Sequence, residues 1–332
     1  MDGPFLVTGA TGNVGAPLVT ALRGQGAEVR PASRHPADAQ GVAFDFGDPA
    51  TWDAAFEGVG AMFVVRPPQI ADVRHELVPA LEHSRAHGVR HVVLLSVQGA
   101  GVVPVLPHAG VERWLRASGM DWTFVRPSYF DQNLTSVFAA DIRDRDEIVV
   151  PAGTGRTAFV DASDVAAVAA QALLDPGRHL GRIWTPTSAE SLTWDEVAGV
   201  LSEVLGRRIA YRRPSLLEYV RHARTVLGFD VPMTATTALI HATARVGVAG
   251  RLTDDVSIVT GRAPITLKEF AQRERQVWQP HLRQVTAQDH GAGPEDRASA
   301  PADPDPAGTA HTPGSGAVVS PRRCGCSRPR DP

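Results

Sequence analysis

Pro4-Phe5-Leu6-Val7-Thr8-Gly9-Ala10-Thr11-Gly12-Asn13-Val14-Gly15 is the stretch that decides the fold. The apolar run Phe5 to Val7 reads as a short buried strand. It breaks at Gly9, and a helical pattern starts near Asn13. Three glycines, each three apart, lie between strand and helix. A pyrophosphate bound at a helix N-terminus needs backbone N–H groups and no side chain in its way. Gly9 supplies the tight turn in this reading, Gly12 the close approach and Gly15 the packing of helix on strand. The plainer alternative is an ordinary glycine-rich turn, but the strand-before, helix-after setting favours a nucleotide site.

Outward from this turn, strand and helix signals alternate. Val14, Leu18 and Leu22 recur at i, i+4, i+8 and give the first helix an apolar stripe, ended by Gly24 and Gly26. Glu28 to Ala32 is expected to be the second strand, with Pro31 expected to cut it short, because proline removes a ladder hydrogen bond. The segment after it, Ser33-Arg34-His35, carries no acidic residue for ribose hydroxyls, and Arg34 is suited to a 2′-phosphate. A solvated loop arginine is the bland alternative. Further strands are expected at Val42 to Phe46, Ala61 to Val65, Arg90 to Leu95 and Asp121 to Val125. Asp45 and Phe46 are candidates to border an adenine; Trp52 and Phe56, one helical turn apart, read as core. Helices are expected at Ile70 to His87 and Ala109 to Ala117. The pattern implies a right-handed parallel sheet with helices on both faces and ligands at the carboxyl ends of the strands.

After Pro127 the pattern is less regular. Asp131 to Ala140 reads as helix, Ile148 to Pro151 and Ala158 to Val160 as strands, and Asp161 or Ser163 as the cap of a helix to Leu174. A strand at Arg182 to Thr185 follows. Thr193-x-x-Glu196 and Thr266-x-x-Glu269 are capping boxes; the second opens a helix to about Val277. Helices are also expected at Leu216 to Leu227 and Ala235 to Val246. The expected division is residues 1–150 as a dinucleotide-binding domain, with 157–185 returning to it, 186–280 as a smaller subdomain and 289–332 as a disordered tail. Past Gly291, only Val318, Val319, Cys324 and Cys326 are apolar beyond alanine, too little to offset ordering entropy.

Composition sets outer bounds. A net charge of −3 over 332 residues gives no reason to expect nucleic acid or an anionic membrane as partner. No apolar run approaches a membrane span, and no basic segment with an apolar core precedes the first strand, so neither a membrane location nor a signal peptide is expected. The two cysteines lie in the tail with one residue between them, which excludes a disulfide framework, suggests a reducing cytoplasm and completes no zinc site. His75-Glu76 lacks the second histidine of a zinc-protease motif, and no metal site is expected. Arg207, Arg208, Arg212 and Arg213 read as an exposed basic face.

With these elements placed, the sequence resembles the NmrA-like family of atypical short-chain dehydrogenase/reductases, and within it members described as NAD(P)H:quinone oxidoreductases or azoreductases. Thr8 to Gly15, Gly88 to Ser96 and His108-Ala109-Gly110-Val111-Glu112 carry the likeness, together with Leu115 to Pro127 and its continuation through Tyr129-Phe130 and Asn133-Leu134. Asp161, Asp164-Val165-Ala166 and Thr260-Gly261-Arg262-Ala263-Pro264 extend it, so that it spans about Pro4 to Trp278. The resemblance implies an α/β fold, a Rossmann-like doubly wound parallel sheet with a smaller, mostly C-terminal α+β subdomain and a substrate cleft between them. It implies NADP(H) more often than NAD. By position, Gly9, Thr11, Gly12, Asn13 and Val14, beside Gly15, hold the pyrophosphate; Arg34 holds the 2′-phosphate; Ser96, Pro127, Tyr129 and Phe130 lie near the nicotinamide. Pro31, Arg66 and Asp131 depart from the family pattern, and Arg66 and Asp131 are expected to face the cleft.

Ordinary short-chain dehydrogenases use a tyrosine four residues before a lysine as a tuned proton donor. Lys268 is the only lysine here, and residue 264 is proline. The expected position carries His108-x-x-x-Glu112 instead. His108, with Tyr129 as second candidate, is the catalytic reading; the alternative is a helix cap, with Glu112 solvated or structural. Ser96 has no nucleophile-elbow glycines around it. Two functions are expected to compete: an NADPH-dependent reductase of quinone-like or other conjugated acceptors, its cleft lined by Tyr129, Phe130, Asn133 and Arg66, and a non-catalytic NADP sensor with a protein partner. A homodimer is compatible with either.

Overall fold

The computed structural model describes residues 3–36 and 39–280, which belong to one compact unit. The tail with Cys324 and Cys326 lies outside the described residues. Strands β1 (Phe5–Thr8), β2 (Val29–Ser33), β3 (Val42–Ala43), β4 (Ala61–Val65), β5 (His91–Leu95) and β6 (Asp121–Val125) appear in chain order. Two small sheets then use β7 (Tyr129–Phe130), β8 (Glu147–Val149), β9 (Arg156–Val160), β11 (Ser191–Thr193) and β12 (Ala210–Arg212), while β10 (Ile183–Trp184) returns to the main sheet. The main sheet has the order β10-β6-β5-β4-β1-β2-β3 and its pairs are parallel. The order reverses at β1, beside which β4 lies, and this switch point is where doubly wound sheets open a crevice for ligand.

Alternation along the strands sorts side chains into two cores. Leu6, Met62, Val64, Val92 and Leu94 enter the first, with Trp52, Phe56, Leu81, Val111 and Leu115 from α2 (Trp52–Phe56), α4 (Val78–Ala86) and α5 (Pro107–Ala117). Val7, Phe63 and Val93 enter the second, under α1 (Gly15–Gly24) and α7 (Ala162–Leu174), which pack together. The stripe Val14, Leu18, Leu22 lies in this second core as its spacing requires. A third cluster, including Phe138, Phe159, Trp194, Leu201, Phe270 and Trp278, lies under the small sheets.

Several expected boundaries move. Pro31 does not shorten β2: Ala32 directs its carbonyl to Ala10 and Ser33 to Phe44, so alternation turns Pro31 toward β3, an edge strand of two residues. β3 itself ends at Ala43, before Phe46. The helix expected over residues 70–87 splits into α3 (Val73–Glu76) and α4 at Leu77, because Pro79 occupies the first turn of α4 and has no N–H to continue the ladder. Residues 131–140 are not one helix. Thr135 and Ser136 hydroxyls donate to the Gln132 carbonyl and compete with the helical ladder. A 3₁₀ turn covers Asp131–Asn133, and α6 covers only Ala139–Arg145. Both capping boxes form, at the starts of α9 (Trp194–Leu205) and α13 (Leu267–Arg273). A third, Ser215 with Glu218, opens α10 (Leu216–Thr225), after α8 (Pro176–His179) and α9 in chain order. Helix α11 (Val231–Arg245) starts earlier than expected, where Asp230 accepts from the Met233 N–H; α12 covers Asp255–Thr260. The expected basic face is largely neutralised: Arg207 pairs with Asp146, Arg212 with Glu147 and Arg213 with Asp195. Among the described residues no helix is long and apolar enough to cross a membrane.

Candidate active site

The glycine turn has a distinct physical requirement at each glycine. Gly9 has φ +63°, in the left-handed region. A Cβ on Gly15 would lie 2.1 Å from the Gly9 carbonyl oxygen and 2.9 Å from the Ala10 Cα, so only glycine lets α1 approach β1. Gly12 has an ordinary φ; a Cβ there would meet only the Gly9 oxygen, at 3.2 Å, and its other side is open. The Gly12 N–H bonds Gly9 and the Ala16 N–H bonds Gly12, closing the turn into α1. Thr11 and Asn13 are exposed at this helix start and Val14 is buried beneath it.

Arg34 stands exposed directly after β2, at the carboxyl edge of the sheet. Asp45 is partly occupied: its carboxylate accepts from the Gly47 N–H at 2.8 Å, and its carbonyl from Trp52 Nε1 at 2.8 Å. Phe46, expected with Asp45 to border an adenine, turns its ring into the first core. It is 5% exposed in the first core, edge-on to Phe44, because the aromatic ring gains more by burial among Trp52 and Phe56 than at the sheet edge.

The ends of β5 and β6 are tied together by a buried clamp. Glu112 is 1% exposed; Ser96 Oγ donates to its Oε1 at 2.6 Å, Arg126 Nε donates to the same oxygen at 2.8 Å, and Arg126 also reaches Oε2. Arg116 adds a longer contact of 3.3 Å. Burial alone would raise the Glu112 pKa; the bonds from Arg126 and Ser96 outweigh it and hold the carboxyl below its ordinary value. The solvated alternative for Glu112 is therefore wrong. Gln98 N–H bonds the Pro127 carbonyl at 3.0 Å and joins the two loops again. A carboxylate between Ala109 and Leu115 on the apolar face of α5 was the signal for this clamp, and Arg126 at the end of β6 its partner.

His108 does not cap α5, whose start is Leu106 with no side-chain cap. Its Nε2 instead accepts from Arg66 Nε at 3.4 Å. Burial, then the Arg66 charge, push its pKa down to about 4, against a smaller opposing pull from Glu112. The imidazole is neutral at pH 7 and poorly suited to give a proton. Arg66 is held in place: its Nη1 also donates to the carbonyls of Pro67, Pro68 and Ile70.

Neighbouring residues in an extended strand point to opposite faces, and β7 separates its two rings accordingly. Tyr129 packs toward the third cluster, edge-on to Phe159 and Trp194 and 5.8 Å from His241, with the Asn133 side chain near its hydroxyl. Burial pushes the Tyr129 phenol up, so it stays protonated. Phe130 packs against the second core, as do Val65 and Leu95 at the ends of β4 and β5. Tyr129 and Asn133 are thus brought together, and Phe130 is on the other face. His241, 4% exposed among Tyr129, Phe138, Trp194 and Tyr219, was not singled out in the sequence; it stands in a helix of mixed polarity with no motif around it.

Asp131 was expected in the cleft and is not there. It is 0% exposed and both carboxylate oxygens lack a hydrogen-bond partner among the described residues. Burial, reinforced by Asp161 and Asp164, raises its pKa well above the ordinary value, against Arg273. Its contribution to stability is full below the unfolded-state pKa of about 3.9 and is lost as pH rises toward the folded value. Asp131→Asn is expected to stabilise the protein by about 1–3 kcal/mol at pH 8 and by much less at pH 4. Thermal melts of both proteins across that range check this; an equal shift at both pH values would exclude an ionisation effect.

The strand order and the glycine turn define a Rossmann-like, doubly wound α/β protein. The sequence model of the NmrA-like family matches residues 1–271, and the chain belongs to that family. It is 36% identical over 285 residues to an NAD(P)H azoreductase of Xenophilus azovorans, covering 81% of this chain and 96% of the relative. Its fold is similar to that of the Citrobacter sp. triphenylmethane reductase complexed with NADP(H), at TM-score 0.71 and 24% identity over 82% of this chain and all of the other. It is also similar to the Escherichia coli NADPH-dependent quinone oxidoreductase, at TM-score 0.72 and 22% identity over 81% and 99% of the two chains.

Proposed function

We propose that this protein is an NADPH-dependent reductase that transfers hydride to a flat conjugated acceptor, quinone-like or azo. The observation that carries the reading is the glycine turn, with Gly9 in the left-handed region and Gly15 packed on the Gly9 backbone, in a chain whose 36%-identical relative is an NAD(P)H azoreductase. The pyrophosphate lies on the N-terminus of α1 against the backbone of Thr11 to Val14, and Arg34 pairs with the 2′-phosphate. Ser96, Pro127 and Phe130 flank the nicotinamide; Tyr129 and Asn133 bound the acceptor from the side of the third cluster. Residues 186–280 act as the smaller, substrate-side part. Dinucleotide chemistry supplies the hydride, and the chain supplies placement.

Of the candidate residues His108, Tyr129 and Glu112, none is a tuned acid. His108 is neutral at pH 7, Tyr129 remains protonated, and Glu112 is spent on Arg126 and Ser96. A reduced quinone or azo anion can take its proton from water, whereas alcohol oxidation would need a base. His108→Ala is therefore expected to lower the rate of NADPH oxidation with a quinone or azo dye by less than about tenfold, short of the effect of removing a general acid. Asn133→Trp should abolish turnover while leaving NADPH binding intact. If His108→Ala stops the reaction with NADPH affinity unchanged, histidine is the donor. If the wild type binds NADPH and reduces no acceptor in a quinone and azo panel, the protein is an NADP sensor that acts through a partner.

Cofactor choice rests on Arg34. Arg34→Ala is expected to weaken NADPH binding about tenfold or more, by loss of a charge-assisted contact, with NADH binding nearly unchanged in fluorescence titration. Equal losses for the two would assign Arg34 a structural role.

A further inference from the structure

We propose that Asp53, His83 and His87 form a binding site for a divalent first-row transition ion, of which Zn²⁺ is the best match, on the outside of the first core and away from the dinucleotide edge. Asp53 is in the first turn of α2, His83 is in α4 and His87 directly follows it. Their ligand atoms all lie within 4.8 Å of one another. His83 Nε2 is 2.6 Å and His87 Nε2 3.3 Å from the same Asp53 oxygen. Tetrahedral ligands at 2.0–2.1 Å from zinc stand about 3.3 Å apart, so small side-chain adjustments bring the set to coordinating distance.

The orientation of His87 is the main physical reason. Its Nδ1 lies 2.9 Å from the His83 carbonyl, which can only accept. The Nδ1 therefore carries a hydrogen, and the ring is fixed with Nε2 directed at Asp53. With Nδ1 held in this way, Nε2 is the ring atom available to coordinate a cation shared with Asp53 and His83. A backbone carbonyl holding the far nitrogen is also the usual outer-shell support of a histidine metal ligand. The two imidazoles, four residues apart, stack at 4.2 Å, and His83 rests against Trp52 and Phe56. One side of the site is thus apolar wall, while Asp53 opens it to water, which leaves a fourth position for solvent. Two imidazoles and one carboxylate select zinc, nickel or copper over calcium and magnesium.

The site lies where α4 leads into β5, at the amino ends of the strands, opposite the carboxyl edge that carries the glycine turn and Arg34. A bound ion joins α2 to α4 over the first core. Its expected effect is on stability, by preferential binding to the folded chain, and not on hydride transfer.

The test uses the full chain with Cys324→Ser and Cys326→Ser, so that tail thiolates cannot compete. Calorimetric titration with Zn²⁺ alone near pH 7 should show one ion per chain, and Co²⁺ should give a visible ligand-field spectrum. His83→Ala, His87→Ala and Asp53→Asn, each in that background, should weaken binding at least about tenfold, the loss that even an outer-shell partner produces. Zn²⁺ should raise the melting temperature of the parent and not of these variants, while NADPH binding is the same in all. His87→Gln, which keeps bulk and polarity, decides the matter if an alanine variant does not fold. Loss of the site with the cysteines, binding unchanged in the histidine variants, or no binding by the parent overturns the proposal.

Discussion

Glu112→Ala is expected to lower the unfolding free energy by about 3–5 kcal/mol, the loss found when one member of a buried ion pair is removed. The carboxylate is 1% exposed and holds four groups at once: the Ser96 hydroxyl, two donors of Arg126, and Arg116. Truncation leaves the Arg126 guanidinium, 14% exposed, without its counter-charge, while Ser96 loses its acceptor. Glu112→Gln keeps the volume and one acceptor oxygen but not the charge, and should fall between. Urea unfolding should show a lower midpoint at an unchanged slope. The Glu112 carboxyl is held below its ordinary pKa in the folded chain, so its contribution is present above the unfolded value of about 4.3 and is lost as pH falls through the folded one. The gap between wild type and Glu112→Ala should narrow in acid. A loss below about 1 kcal/mol would mean that water reaches Arg126 as readily as the carboxylate does.

Gly15→Ala should be strongly damaging for a single added methyl. The new Cβ meets Gly9 oxygen at 2.1 Å, Gly9 carbon at 2.7 Å and Ala10 Cα at 2.9 Å. All three are backbone atoms, so α1 itself must move. The expected loss is about 2–3 kcal/mol, at the upper end for overpacking, with at least about tenfold weaker NADPH binding as the N–H groups of the turn are displaced. Two other glycines separate the causes. Gly24→Ala, with nothing within 4 Å of its Cβ, should be neutral or slightly stabilising. Gly12→Ala is free of backbone conflict apart from the Gly9 oxygen at 3.2 Å; it should fold nearly as well as wild type and, in the proposed binding mode, lose NADPH, because its methyl would stand where the pyrophosphate is proposed to lie. Equal NADPH binding by Gly12→Ala and wild type would remove the pyrophosphate from this turn.

The parallel sheet was legible because its signals are local. Val14, Leu18 and Leu22 show one face of a helix, and Thr193 with Glu196 marks the start of another, without reference to anything distant. The exposed place of Arg34 directly after β2 was legible because it follows from the order of local elements. The clamp was not: Ser96, Glu112 and Arg126 are far apart in sequence, and only the topology brings the ends of β5 and β6 to one helix face. Asp131 was misplaced for a similar reason. A charged residue beside two candidate site residues reads as cleft-facing until Asp161, Asp164 and Arg273 are seen around it. Pro79 and Pro31 show the two directions of error with one residue type. The first broke a helix that the apolar pattern had bridged. The second sits harmlessly where alternation turns its nitrogen to a short edge strand.

The return of β10 and α7 to the main sheet bears on how the chain folds as it is made. The second core needs α7, residues 162–174, to cover α1 and the faces of β4, β5 and β6. Strand β10, at residues 183 and 184, protects the outer edge of β6. A nascent chain that has emerged only as far as β6 therefore carries six strands with one face covered by α1 alone and the outer edge of β6 unpaired. At about 5–20 residues per second, the stretch between the end of α1 and the end of α7 takes roughly 8–30 s to synthesise. During that interval Leu18 and Leu22 have no partner helix, and the ribosome-bound fragment is at its most vulnerable to association with other chains.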